Sequence, residues 1–199
     1  MRNRDDLPRL VVLISGSGTN LQAILDACAD GTLPAQVTAV MANRGDAYGL
    51  QRAAAAHVPT LVLERQPGQD RRAYDTALAE AVAAYAPDWV VLAGWMRILT
   101  MAFLGRFPGR VINLHPALPA AFPGVHAIER AFAAYERGEI DRTGVMVHLV
   151  PDEGVDDGPV LATAEVAFAP GESLEEFAAR MHQVEHWLLV DTLRRLVTR

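Results

Sequence analysis

The sequence predicts a single α/β domain built on a doubly wound, mostly parallel sheet. Short apolar runs of strand length alternate with amphipathic stretches at helical spacing. The first run ends in a glycine turn that opens a helix, and further strands follow the alternating part. No internal repeat, low-complexity run or interdomain linker interrupts the chain, so residues 1–199 read as one domain with a core from about 9 to 197.

Arg9 to Ser15 is a continuous apolar run, followed by Gly16-Ser17-Gly18-Thr19-Asn20. Leu21, Ile24, Leu25 and Cys28 then recur at helical spacing until Gly31 closes the helix. Gln36 to Met41 reads as a strand, Ala47 to His57 as an alanine-rich helix, and Val58 to Leu63 as a third strand. Asp70 caps a long helix through Tyr85, with Tyr74, Leu78 and Val82 on one face and Pro87 beyond its end. Asp88 to Ala93 is a fourth buried strand, ending in Gly94-Trp95-Met96-Arg97-Ile98-Leu99. Arg110 to Leu114 forms a fifth, which Pro116 ends by removing a backbone donor. A helix from Val125 to Arg137, strands over Thr143–Val150 and Val160–Phe168, and a long helix opened by a Ser173/Glu176 capping box complete the chain.

Composition excludes several classes of function. A net charge of −6 and a pI near 5.5 argue against general nucleic-acid or anionic-membrane binding, which need a concentrated basic face, although a local anion site is compatible with them. No apolar run approaches the roughly 18 residues of a membrane span. The single cysteine, Cys28, lies on an apolar stripe and suits packing, so a cytoplasmic protein without disulfides is expected. All 18 basic residues are arginine. A Walker-type phosphate loop, a pyridoxal Schiff base and a lysine nucleophile are therefore closed.

Chemistry concentrates at Val111-Ile112-Asn113-Leu114-His115-Pro116. Asn113 and His115 are two apart on an extended chain, so both side chains leave one face at the carboxyl end of a strand, where open parallel sheets bind ligands. An amide donor beside an imidazole can hold a developing oxyanion and move a proton, as acyl transfer requires. The same residues also fit a turn-capping asparagine and a buried, satisfied histidine. The glycine turn exposes backbone amides at a helix start and suits one phosphate, whereas Leu21 stands where a dinucleotide fingerprint wants a third glycine. Equally, it fits an ordinary tight turn. Arg71, a cation in a helix's first turn, hints at a task but also fits a solvated face. Met96 to Leu99 could line a pocket for a flat heterocycle or be plain core. His148 is placed to face inward beside the strand bearing His115, and the acidic 151–157 loop reads as a solvated turn. His182-Gln-Val-Glu185-His186 matches a zinc-peptidase pattern, a rival from another class.

In combination, the motifs SGSGTNLQAI, AYD, VVLAGWMRIL, INLHPAL, FPGVHAIERA, TGVMVHLV, DEGVDDGP and QVEH follow one another as in the glycinamide ribonucleotide formyltransferases. The resemblance runs from about Leu10 to about Leu196. It implies a Rossmann-like formyltransferase fold and formyl transfer from 10-formyltetrahydrofolate, a co-substrate, to the amine of glycinamide ribonucleotide, with no metal. By resemblance, Asn113, His115 and Asp156 are catalytic. Gly18, Thr19, Asn20, Leu21, Gln22 and Glu185 bind the ribonucleotide, and Arg71, Met96, Arg97, Ile98, Leu99 and Asn113 the folate. A carboxylate near His115 is expected to raise its pKa above about 6.5. Small-molecule partners only and a monomer or homodimer are expected.

Two loops depart from the family pattern. Residues 117–124 read ALPAAFPG where the family commonly reads SLLPKFPG, and the 151–157 loop is one residue longer than in some relatives, leaving Asp156 and Asp157 to compete. Asp156 is favoured because the family's aspartate precedes a small residue and then Gly-Pro. Formyltetrahydrofolate hydrolases and methionyl-tRNA formyltransferases carry extra domains for which this length has no room. A related formyltransferase acting on another amino sugar or nucleotide is the main alternative.

Overall fold

Strand β1, Arg9–Ile14, lies inside the sheet because Leu10 to Ile14 are apolar on both sides of the pleat. Leu10, Val12 and Ile14 enter one core while Val11 and Leu13 enter the other. The computed structural model describes residues 6–198; residues 1–5 and 199, which the single-domain reading includes, lie outside them. Chain order continues as α1 Thr19–Asp30, β2 Gln36–Ala42, α2 Gly49–Ala55, β3 Thr60–Val62, α3 Arg71–Ala83 and β4 Trp89–Leu92. Then follow α4 Met101–Leu104, β5 Val111–His115, α5 Ala127–Glu136, β6 Arg142–Leu149, β7 Val160–Ala167 and α6 Leu174–Val197.

The seven strands form one sheet in the order β3-β2-β1-β4-β5-β6-β7. Strands β1 to β5 pair in parallel, and β6 and β7 add antiparallel at one side. This is the doubly wound α/β fold. Helices α1, α5 and α6 cover one face, where Phe132, Phe168 and Phe177 pack together and Phe168 stacks on Phe177 at 4.4 Å. On the opposite face, α3 and α4 bring Tyr74, Leu78, Phe103 and Leu104 against β1 and β4. Among the described residues, no helix is long and apolar enough to cross a membrane.

Helix ends follow local chemistry. Asp70 accepts the Ala73 N–H at 2.9 Å, and the Ser173/Glu176 capping box forms in full. The expected 47–57 helix contracts to Gly49–Ala55, since the Gly49 N–H is taken by the Gly16 carbonyl and His57 turns left-handed at φ 57°. Likewise α5 begins at Ala127 rather than Val125, because His126 is left-handed. The short α4 has no counterpart in the sequence reading. Its cap residue, Thr100, gives its N–H at 2.6 Å to the buried carboxylate of Asp75, a contact across 25 positions that local periodicity does not reveal.

Phe177 is fully buried among aromatic neighbours, so Phe177→Ala is expected to destabilise the protein by about 3–5 kcal/mol in a denaturant titration, with little change in the slope.

Candidate active site

Strand order reverses between β1 and β4, so the loops after these strands part at the carboxyl edge of the sheet. They are nonetheless stitched together: the Ser15 N–H reaches the Gly94 carbonyl at 3.1 Å, and the Met96 N–H donates to the Ser15 hydroxyl at 2.8 Å. In the first loop Gly18 adopts φ 71°, and a Cβ there would lie 2.6 Å from the Gly49 Cα. Only glycine fits this approach of α2 to the turn. Helix α1's bond from the Gln22 N–H to the Gly18 carbonyl leaves the N–H groups of Thr19, Asn20 and Leu21 in the uncapped first turn, where they form the partial positive end of the helix.

The Leu21 side chain is fully buried, so Leu21 has only its backbone to offer a ligand. Arg52, which the sequence reading passed over, supplies the local cation. Its Nε donates to the Ser17 carbonyl at 2.9 Å and its Nη1 to Gln22 at 3.2 Å. Nothing in the alanine-rich α2 marks it, because the contact spans 35 positions.

On β5, Asn113 stands opposite His148 of the antiparallel β6, and the 150–159 loop returns Asp156 to both at a left-handed φ of 55°. The Asp156 carboxylate accepts from Asn113 Nδ2 at 3.0 Å and from the Gly124 N–H at 2.8 Å, with His115 Nδ1 at 3.3 Å. Asp157 is exposed and its carboxylate folds back against Gly154. His148 faces inward as its strand position predicts, and it also joins the cavity wall. Its Nδ1 lies 2.8 Å from the Leu149 carbonyl, which can only accept, so that nitrogen carries the proton and Nε2 of the neutral ring accepts from Asn113 Nδ2 at 3.2 Å. Both amide protons of Asn113 are thereby engaged, one by His148 and one by Asp156.

Burial lowers the His115 pKa, and the nearby Asp156 carboxylate and Phe122 carbonyl offset this only in part. The expectation of a raised value is corrected: desolvation of a side chain only 5% exposed outweighs one carboxylate. For Asp156 burial acts upward, yet the Gly124 N–H and the His115 ring together hold it below the usual carboxylate range.

These groups lie in the wall of a cavity of about 550 Å³ that Arg71, Met96, Arg97, Ile98 and Leu99 also line. The Arg71 guanidinium donates to the Ile98 carbonyl at 3.0 Å, joining the start of α3 to the loop after β4. Met96 and Ile98 are 66% and 47% exposed, an apolar rim suited to a flat ligand, whereas Leu99 is buried. The acidic 151–157 loop contributes Asp152, Val155 and Asp156 to the lining rather than standing apart as a solvated turn.

On α6, which packs on α1, Glu185 is buried and its carboxylate lies 2.6 Å from His182 Nδ1. That bond raises the His182 pKa, while burial lowers that of His186. Among the described residues no grouping of three or more His, Cys, Asp or Glu is placed to share a metal ion.

Residues 8–193 match the family described as formyl transferase. The chain is 46% identical to a phosphoribosylglycinamide formyltransferase of Schizosaccharomyces pombe, over 95% of this chain and 97% of the relative. It is 44% identical to the enzyme of that name from Escherichia coli, over 89% of this chain and 81% of the relative. A crystal structure of glycinamide ribonucleotide transformylase 1 from Symbiobacterium toebii superposes with a TM-score of 0.89 at 42% identity, covering 96% of this chain and 88% of that one.

The pairing of His115 with Asp156 has a testable sign. Removing the charge in Asp156→Asn takes away the largest influence opposing burial, so the His115 pKa is expected to fall further in an NMR titration of the imidazole; an unchanged or higher value would uncouple the pair.

Proposed function

This chain belongs to the formyl transferase family, and from that premise we propose that it transfers the formyl group of 10-formyltetrahydrofolate to the amine of 5-phosphoribosylglycinamide, a step of purine biosynthesis. The observation that carries the reading is the placement of one acid–base cluster, Asn113, His115, His148 and Asp156, in the wall of an apolar-rimmed cavity. The cavity suits a flat folate ring between Arg71 and the Met96–Leu99 segment, with Asn113 at its inner wall. A phosphate suits the Gly18–Gln22 turn, where backbone amides and Arg52 offer the positive charge that lysine, absent from this chain, would otherwise supply. Glu185, buried on α6, is assigned to binding the ribonucleotide.

The chemistry follows from charge development. The neutral amine attacks the formyl carbon, negative charge grows on the formyl oxygen and positive charge on the nitrogen, and the tetrahedral intermediate collapses as the folate nitrogen leaves with a proton. Asn113 donates to the oxygen once the substrate displaces its bond to His148 or Asp156. His115 moves the proton, and Asp156 orients the ring and stabilises its charged form. No covalent enzyme intermediate enters. Cys28 lies on α1 with its thiol pushed up by burial to about 11, far from a reactive thiolate. No step of this scheme calls on a metal. We assign the reaction to the cytoplasm, where a lone reduced cysteine is usual.

Purified protein given 10-formyltetrahydrofolate and a panel of amines should formylate 5-phosphoribosylglycinamide with the highest kcat/KM. Faster transfer to another amino sugar or nucleotide would replace the acceptor. Gly18→Val, which drives a Cβ into Gly49, should weaken acceptor binding by roughly tenfold or more, about 1.4 kcal/mol, while folate binding holds. Equal loss of both ligands would mark a folding defect instead.

A further inference from the structure

The loop between β5 and α5 is wound in an unfavourable conformation. Ala120 and Phe122 stand at φ 64° and 47°, both left-handed without being glycine. Such residues persist only where their surroundings hold them. In this loop the holding group is Arg130, whose Nη2 donates to the Phe122 carbonyl and to the Pro123 carbonyl, each at 2.6 Å, while its guanidinium lies 5.9 Å from the centre of the Phe122 ring.

The backbone so held is the backbone that holds the reacting side chains. The Phe122 carbonyl lies 3.1 Å from His115 Nε2, and the Gly124 N–H donates to Asp156 at 2.8 Å. Phe122 to Gly124 thus fix the far side of the imidazole and one carboxylate oxygen. Arg130 itself is exposed and takes no part in lining the cavity. It also sits in the first turn of α5, where a cation opposes the helix dipole, so helix stability does not account for its position.

We propose that Arg130 is a positioning residue for formyl transfer, clamping the 120–124 backbone so that His115 and Asp156 are held in register with each other. The inference rests on the reading of that pair as the acid–base machinery.

The test compares Arg130→Ala, Arg130→Gln and Arg130→Lys with His115→Ala and Asp156→Asn. Arg130→Ala is expected to lower kcat by about 10- to 100-fold, the scale of a small misplacement of catalytic groups, with the KM of each substrate within about threefold of wild type. In the same variant the His115 imidazole should titrate at lower pH by NMR, having lost the Phe122 acceptor. Arg130→Lys should recover part of both effects, since an ammonium still reaches one carbonyl. Arg130→Gln, with a shorter neutral donor, gives the same readouts if the alanine variant melts early. Wild-type kcat and an unmoved His115 titration in folded Arg130→Ala or Arg130→Gln would overturn the clamp. Full activity in both His115→Ala and Asp156→Asn would instead overturn the acid–base reading beneath it.

Discussion

A carboxylate can stay charged inside a protein only if its oxygens are met by donors, and the largely enclosed side chain of Asp156 imposes that demand on the whole site. Its oxygens gather Asn113 from β5, His115 from the end of the same strand, the Gly124 N–H from the loop that follows, and the neighbourhood of His148 on β6. Each partner is itself held: His148 by its own Leu149 carbonyl, His115 by Phe122, Phe122 by Arg130. The left-handed turns at Asp156, Phe122 and Ala120 are the local cost of bringing these groups to one point.

The sheet makes that convergence available. Parallel strands β1, β4 and β5 end at one edge, so the glycine turn, the Gly94–Leu99 segment and His115 share it. Adding β6 in the antiparallel sense sets His148 beside Asn113 without a crossover helix on that side. A slip of one residue would turn every β6 side chain to the other face. Next to His148, between it and Val147, the β6–β7 register shifts, and such irregularities re-aim side chains near functional sites.

Ionisable groups of one type meet opposite environments in this molecule. His115 loses more from burial than Asp156 returns, whereas half-exposed His182 gains from the Glu185 carboxylate and titrates high. The proposed acceptor site thus pairs a histidine with its glutamate directly, and the catalytic cluster spreads one carboxylate over several partners.

Apolar periodicity, caps and breakers in the sequence were enough to determine the strands, most helices and the α/β class, because each is set by residues within a turn or a few pleats of one another. They determined also that Asn113 and His115 leave one face of β5, and that Gly18 opens a turn at a helix start. Four-residue α4 escaped because its cap partner, Asp75, is distant in sequence. Arg52, Arg130 and the bond from Asn113 to His148 escaped for the same reason, their partners lying far off in the chain where no residue pattern marks them. The direction of the His115 shift is not legible in the sequence, which shows that a carboxylate is present but not how much water the imidazole has lost. Resemblance favoured Asp156 over Asp157, but the tertiary structure supplied the physical reason: the winding of one loop, not the identity of two equal side chains, chooses which carboxylate turns inward to the cluster.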